Sequence, residues 1–159
     1  MRKFKLYLET SVWNFYFADD SPEKRDITKK FFKNIKQRRF DIFISQTVLN
    51  EIDKADEVKK NLLIELIKEY QPQDLEITQE VADLAQEYIS QTAIPKAKMD
   101  DALHVAIAAV YEIDALISWN NKHIANLSRM SKINAVNLNQ GYMKHLQLIT
   151  PMEVVIDEN

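Results

Sequence analysis

The chain has 159 residues, a formal net charge of −3, 46% apolar and 28% charged residues, no cysteine, one glycine and four prolines. Without cysteine there are no disulfides, thiolate zinc sites or cysteine nucleophiles. With Gly141 as the sole glycine there is no phosphate-cradling loop, dinucleotide fingerprint or Gly-x-Ser-x-Gly elbow, all of which need backbone amides that approach a ligand without a Cβ in the way.

In chain order, the apolar run Phe4–Leu8 reads as a buried strand and stops at Glu9-Thr10-Ser11. Ile27, Phe31, Phe32 and Ile35 recur at helical spacing and predict an amphipathic helix over Glu23 to Arg39. Ile42-Phe43-Ile44 is a second strand, stopping at Ser45-Gln46-Thr47. Ser45 can cap a short helix on which Val48, Leu49 and Ile52 draw Glu51 toward the apolar side. Asp56 to Tyr70 and Thr78 to Gln91 are amphipathic helices, the second with Thr78 as N-cap, and Leu75–Ile77 between them is a weaker strand. Asp101 to Tyr111 is apolar nearly all round and predicts a central, buried helix. Ala115–Ile117 is the third clear strand, stopping at Ser118-Trp119-Asn120, and Ala135–Asn137 is another weak one.

Alternating strands and helices predict one α/β domain over residues 1–159, with a parallel sheet covered on both faces. The first apolar run is too short and too charged for a signal-peptide core. No apolar run approaches the roughly 18 residues that would span a membrane. A cytoplasmic protein is expected.

Ligand sites of open parallel sheets lie at the carboxyl ends of strands, where this sequence places several acids. Glu9 directly follows a strand, Glu51 follows Ser45 by one short helix, Asp101 opens the apolar helix, and Asp114 precedes the third strand. A carboxylate at the edge of a core is costly unless it is paired or binds a cation, and converging carboxylates suit Mg²⁺ or Mn²⁺. Ordinary readings stand beside this one. Asp100 or Asp101 can be an N-cap, Asp114 can close a helix-to-strand turn, and His104 can be a satisfied core histidine. Trp13, Phe15, Tyr16 and Phe17 can stack nucleobases or fill the core.

The charges fall in blocks. Pro22 to Arg39 carries eight bases against two acids, Asn50 to Ser90 eleven acids against four bases, and Ala115 to Met152 four bases and no acid. A solvated helix face is the ordinary source of such blocks; a polyanion-binding face is the alternative.

Four segments stand out together: Leu6-Tyr7-Leu8-Glu9-Thr10-Ser11-Val12, Ile44 to Ile52 with Glu51, Met99-Asp100-Asp101-Ala102-Leu103-His104 and onward to Ala108, and Ala115-Leu116-Ile117-Ser118-Trp119-Asn120 onward to Asn126. In them the chain resembles the PIN-domain family, in particular the VapC-like ribonuclease toxins of toxin–antitoxin modules. The segments' order and separations fit the family and cover most of the chain.

The resemblance implies a three-layer α/β/α sandwich around a mainly parallel sheet of four to five strands. It also implies hydrolysis of RNA phosphodiester bonds with Mg²⁺ or Mn²⁺, a homodimer and a cognate antitoxin. Glu9, Glu51 and Asp101 fall where the first three acids stand. Thr10 or Ser11 matches the small hydroxyl residue that supports the first acid, and Ser118 joins these supporting hydroxyls. There are two departures: the first acid is Glu rather than the usual Asp, and the fourth is Asn120, an amide without charge. Asp114 lies six residues before Asn120, the length of a short strand away, and does not substitute. Lys122, Arg129 and Lys132, in the acid-free block, are the expected RNA contacts. Two other readings stay open. One is a binding module for RNA or a protein partner, weakened catalytically by Asn120. The other is a phosphohydrolase with an aspartyl nucleophile after the first strand, which Glu9 in that place argues against.

Overall fold

The computed structural model describes residues 2–156. Its first strand, β1 (Phe4–Leu8), occupies the middle of a five-stranded sheet. After it come α1 (Thr10–Phe15), α2 (Pro22–Lys36), β2 (Phe40–Ser45), α3 (Gln46–Asp53), α4 (Glu57–Tyr70), β3 (Gln73–Leu75) and α5 (Gln79–Ser90). Next are α6 (Met99–Val110), β4 (Ala115–Ile117), α7 (Leu127–Asn139), β5 (Gln147–Ile149) and a 3₁₀ turn, Pro151–Glu153. The order across the sheet is β3-β2-β1-β4-β5, and every pair is parallel. Helices cover both faces, giving the three-layer α/β/α sandwich. Parallel pairing forces long crossovers, and these carry the helices back over the sheet.

The three strong strands stand where the apolar runs predict them, because a strand buried on both faces is continuously apolar. Leu6, Tyr7 and Leu8 are buried, as are Ile42, Phe43, Ile44 and all of Ala115–Ile117. Of α6, Ala102 and His104 through Ala109 are buried, which accounts for its apolar circumference. Two weak strand expectations are corrected. Ala135–Asn137 lies inside α7, and the fifth strand is Gln147–Ile149. Leu75–Ile77 overlaps β3 only at Leu75, because the strand begins two residues earlier, at Gln73.

Strand order reverses about β1. The path goes from β1 outward to β2 and β3, then returns to the other side of β1 as β4. This switch point opens a crevice at the carboxyl ends of β1 and β4. The register brings Leu8 beside Ile117, and the next backbone bond, Glu9 N–H to Ile117 C=O at 3.0 Å, fixes Glu9 at the carboxyl end of β1, where its side chain is buried.

Candidate metal centre

Glu9 is the N-cap of α1, and its extended backbone turns the side chain back over the first turn. Its Oε1 accepts from the Ser11 amide at 3.1 Å, the Ser11 hydroxyl at 2.5 Å and the Ser118 hydroxyl at 2.7 Å. These hydroxyls are themselves fixed: Ser11 Oγ accepts from the Trp119 amide at 2.8 Å and Ser118 Oγ from the Asn120 amide at 2.9 Å. The residue after β1 and the residues after β4 are thereby tied together.

Glu51, on α3, is half-buried. Its Oε1 accepts from the Thr10 hydroxyl at 2.7 Å and from His104 Nε2–H at 2.5 Å. The two hydroxyls after Glu9 therefore divide their work: Ser11 supports Glu9, while Thr10 reaches the second acid. Among the described residues, no protein donor is bonded to Oε2 of either glutamate. Each carboxylate has one oxygen clamped and one left open.

Asp101 lies in the first turn of α6, half-buried, beside a cleft of about 310 Å³ lined by Glu51, Ala97, Lys98, Met99, Asp100 and Asp101. Neither Asp100 nor Asp101 is the N-cap; Lys98 holds that position and caps with no side-chain bond. Burial pushes the Asp101 carboxyl up from its ordinary range, and the charges of Glu9 and Glu51 push it further, against the pull of His104 and Lys98. Neighbouring like charges have this effect before any cation is present. For Glu51, burial also pushes up, but the hydrogen bond and charge of His104, with help from Thr10, outweigh it and hold the carboxyl below its usual range.

His104 is fully buried on α6, one turn beyond Asp101. It is a satisfied core histidine, as the ordinary reading expects, but its partner is a site acid. Nδ1 lies 2.7 Å from Tyr7 Oη, and Tyr7 Oη lies 2.7 Å from Ser45 Oγ. Ser45 stands at the N-cap of α3 without using its side chain as a cap, because the hydroxyl is drawn inward to Tyr7. Burial lowers the imidazole's pKa, yet the Glu51 hydrogen bond and the charges of Glu9, Glu51 and Asp101 leave it raised overall. Glu9, Glu51 and His104 each offer a ligand atom, all within 4.8 Å of one another. Sequence reasoning missed Tyr7. Its signal is faint: it stands two residues before Glu9, on a strand where alternate side chains face the same way.

The remaining expected residues are distributed around this centre. Asn120 accepts from the His123 amide through its side-chain oxygen, at 3.0 Å, closing the turn after β4. Lys122 and Lys132 are exposed. Arg129 points its guanidinium at the Ala93 carbonyl. Asp114 is at the far end of β4, bonded to Arg2 at 2.7 Å, the Lys5 amide at 2.8 Å and Lys144 at 2.9 Å, so it closes the helix-to-strand turn. Trp13 is fully buried and donates to the Leu8 carbonyl at 3.3 Å, and Tyr16 packs edge-on against Phe32, as core residues do. The basic helix α2 comes close to the crevice: Trp119 Nε1–H donates to Thr28 at 2.9 Å, and the Lys24 ammonium lies 5.5 Å from the Trp119 ring centre.

Among solved structures, the chain is similar to VapBC2 from Rickettsia felis bound to a DNA fragment from their promoter. The TM-score is 0.55 and the identity 15%, over 75% of this chain and 90% of that one. At this identity the likeness is one of fold. No family model and no curated protein matches the chain.

Proposed function

We propose that the chain is a divalent-metal-dependent endoribonuclease of the VapC-like PIN type, acting as the toxin of a toxin–antitoxin module. The observation that carries this reading is the pair of clamped glutamates. Glu9 and Glu51 each commit Oε1 to protein donors and leave Oε2 free, at the crevice where a parallel sheet places its ligand. Hydroxyl groups and a histidine fix carboxylates that, among the described residues, form no ion pair with a lysine or arginine. Asp101 stands outside the group formed by Glu9, Glu51 and His104 but lines the adjoining cleft with Glu51, and would complete a hard oxygen donor set suited to Mg²⁺ or Mn²⁺. The fold shared with VapBC2 supports the family assignment.

Glu9, Glu51 and Asp101 would hold the ion. A bound divalent ion supplies Lewis acidity toward a phosphoryl oxygen and a water of lowered pKa. Ser11 and Ser118 keep Glu9 from rotating away, and Thr10 and His104 do the same for Glu51. Lys122 and Lys132, exposed beyond β4, hold flanking phosphates of a single-stranded or looped RNA whose backbone is accessible. Arg129 enters that surface only if it leaves the Ala93 carbonyl.

A protein partner fits α4, which leaves Val58 73% and Leu62 45% exposed beside a cleft of about 460 Å³ that includes Tyr16, Phe17 and Leu66. This surface supports the expected homodimer or antitoxin contact. Among the described residues, no helix is long and apolar enough to cross a membrane.

One observation favours a second reading. Asn120, in place of a fourth acid, has its side-chain oxygen turned to the His123 amide, as in a binding module that has lost turnover. Incubating the chain with labelled single-stranded RNA in Mg²⁺, in Mn²⁺ and in EDTA separates the two. The enzyme reading expects cleavage in metal and none in EDTA. Retention of RNA without cleavage under all three conditions would favour the binding module.

A further inference from the structure

We propose that His104 and Tyr7 are positioning residues for Glu51: the Ser45–Tyr7–His104 chain fixes one glutamate oxygen so that the other is presented to a divalent ion. The inference rests on the metal-centre reading above and extends it to groups that need not touch the ion.

The chain runs from Ser45 Oγ to Tyr7 Oη at 2.7 Å, to His104 Nδ1 at 2.7 Å, and from His104 Nε2 to Glu51 Oε1 at 2.5 Å. Its members come from β2, β1 and α6 and converge on α3. Ser45 is 1% exposed, and Tyr7 and His104 are fully buried, so these groups are out of reach of bulk solvent. Burying a hydroxyl and an imidazole costs free energy unless each finds a partner. Here both ring nitrogens and the phenol do, and the chain ends on a half-open carboxylate rather than on a backbone group. Thr10 donates to the same oxygen, at 2.7 Å. Two donors on Oε1 remove the rotation that would carry Oε2 away.

An apolar pair would fill this part of the core with no polar groups to satisfy, so packing does not explain the choice of residues. Partners behind a metal-ligating group typically contribute 10- to 100-fold in metal affinity. His104 is close enough to Glu9 and Glu51 to be a ligand itself. However, its Nε2 is committed to Glu51 and its Nδ1 to Tyr7, the geometry of a support.

The test is Mn²⁺ titration of the whole chain by calorimetry, with pulsed electron paramagnetic resonance on the loaded protein. The variants are His104→Leu, His104→Gln and Tyr7→Phe, each first melted in EDTA to establish that it folds. Glutamine can place an amide N–H where Nε2–H stands, so it tests the donor without the imidazole. His104→Leu should weaken Mn²⁺ binding by about 10- to 100-fold, Tyr7→Phe by about 10-fold, and His104→Gln by only a few-fold. Wild-type affinity in His104→Leu or Tyr7→Phe overturns the proposal. So does imidazole nitrogen coupling to Mn²⁺ together with a His104→Gln loss as large as that of His104→Leu, which makes His104 a ligand. If His104→Leu does not fold, the other two variants decide. A wild type that binds no Mn²⁺ overturns the metal-centre reading itself, a failure distinct from unchanged binding in the variants.

Discussion

Asp101 carries the sharpest residue-scale consequence. Its carboxyl is pushed up by burial and by the Glu9 and Glu51 charges. A carboxylate whose pKa is higher folded than unfolded weakens the fold as pH rises through that interval, and the cost is fully present only above the raised folded value. Asp101→Asn removes the charge and keeps the shape. In EDTA at neutral pH it should melt at or above the wild type. It should also lose most of the Mn²⁺-induced rise in melting temperature, which comes from binding to the native state alone, and RNA cleavage with it. A lower melt in EDTA with cleavage intact would count against the assignment. Asp114 has the opposite sign. Burial alone would raise its carboxyl, but the Lys5 amide, Lys144 and Arg2 outweigh burial and hold it low. Its contribution is therefore present above the ordinary carboxylate range and is lost as pH falls through the depressed folded value. Asp114→Asn should cost about 1–3 kcal/mol at neutral pH, with the difference from wild type shrinking in denaturant melts toward pH 2. Sequence alone singles out Glu9, Glu51 and Asp101, because an acid beside an apolar run is conspicuous; of these, Glu9 and Glu51 bring ligand atoms together, with His104 as the third. It does not expose the Tyr7–His104 pair, because a tyrosine in a buried strand and a histidine in an apolar helix look like core until the fold brings them together from 97 residues apart.

At the scale of elements, strands buried on both faces are legible because continuous apolar runs have few other uses. The short edge strands are not. Ala135–Asn137 offers a small apolar run, yet Asn126 caps α7 by accepting from the Arg129 amide at 2.8 Å, and the helix continues through it. Gln147–Ile149, bonded to a strand on one side only, has too little apolar signal to stand out. The basic helix α2 gains importance from its placement, with Lys24 over Phe15 and Trp119 beside the crevice. For single-stranded RNA, log affinity falls with log salt at about −0.7 per neutralised phosphate. Lys122→Ala with Lys132→Ala should flatten that slope by roughly one to two contacts, read by fluorescence titration across a salt series. An unchanged slope, with flattening in Lys24→Ala instead, would route the RNA along α2.

For the whole molecule, the arrangement follows from one topological fact: β1 is central, and strand order builds outward from it first on one side and then on the other. That fact brings Ser118 to Glu9, with Glu51 and His104 beside Glu9 from separate helices and Asp101 across the adjoining cleft from Glu51. The apolar surface on α4 then predicts a homodimer. Sedimentation at tens of micromolar should give twice the 18.6 kDa chain mass, and a monomer throughout would refute it. The central claim is that Glu9, Glu51 and Asp101 form one metal centre. Crystals soaked in Mn²⁺ and measured at its absorption edge test it most directly. The account predicts an anomalous peak within about 2.6 Å of carboxylate oxygens from all three residues. A peak bound elsewhere, or no peak in crystals that diffract well after the soak, would contradict it.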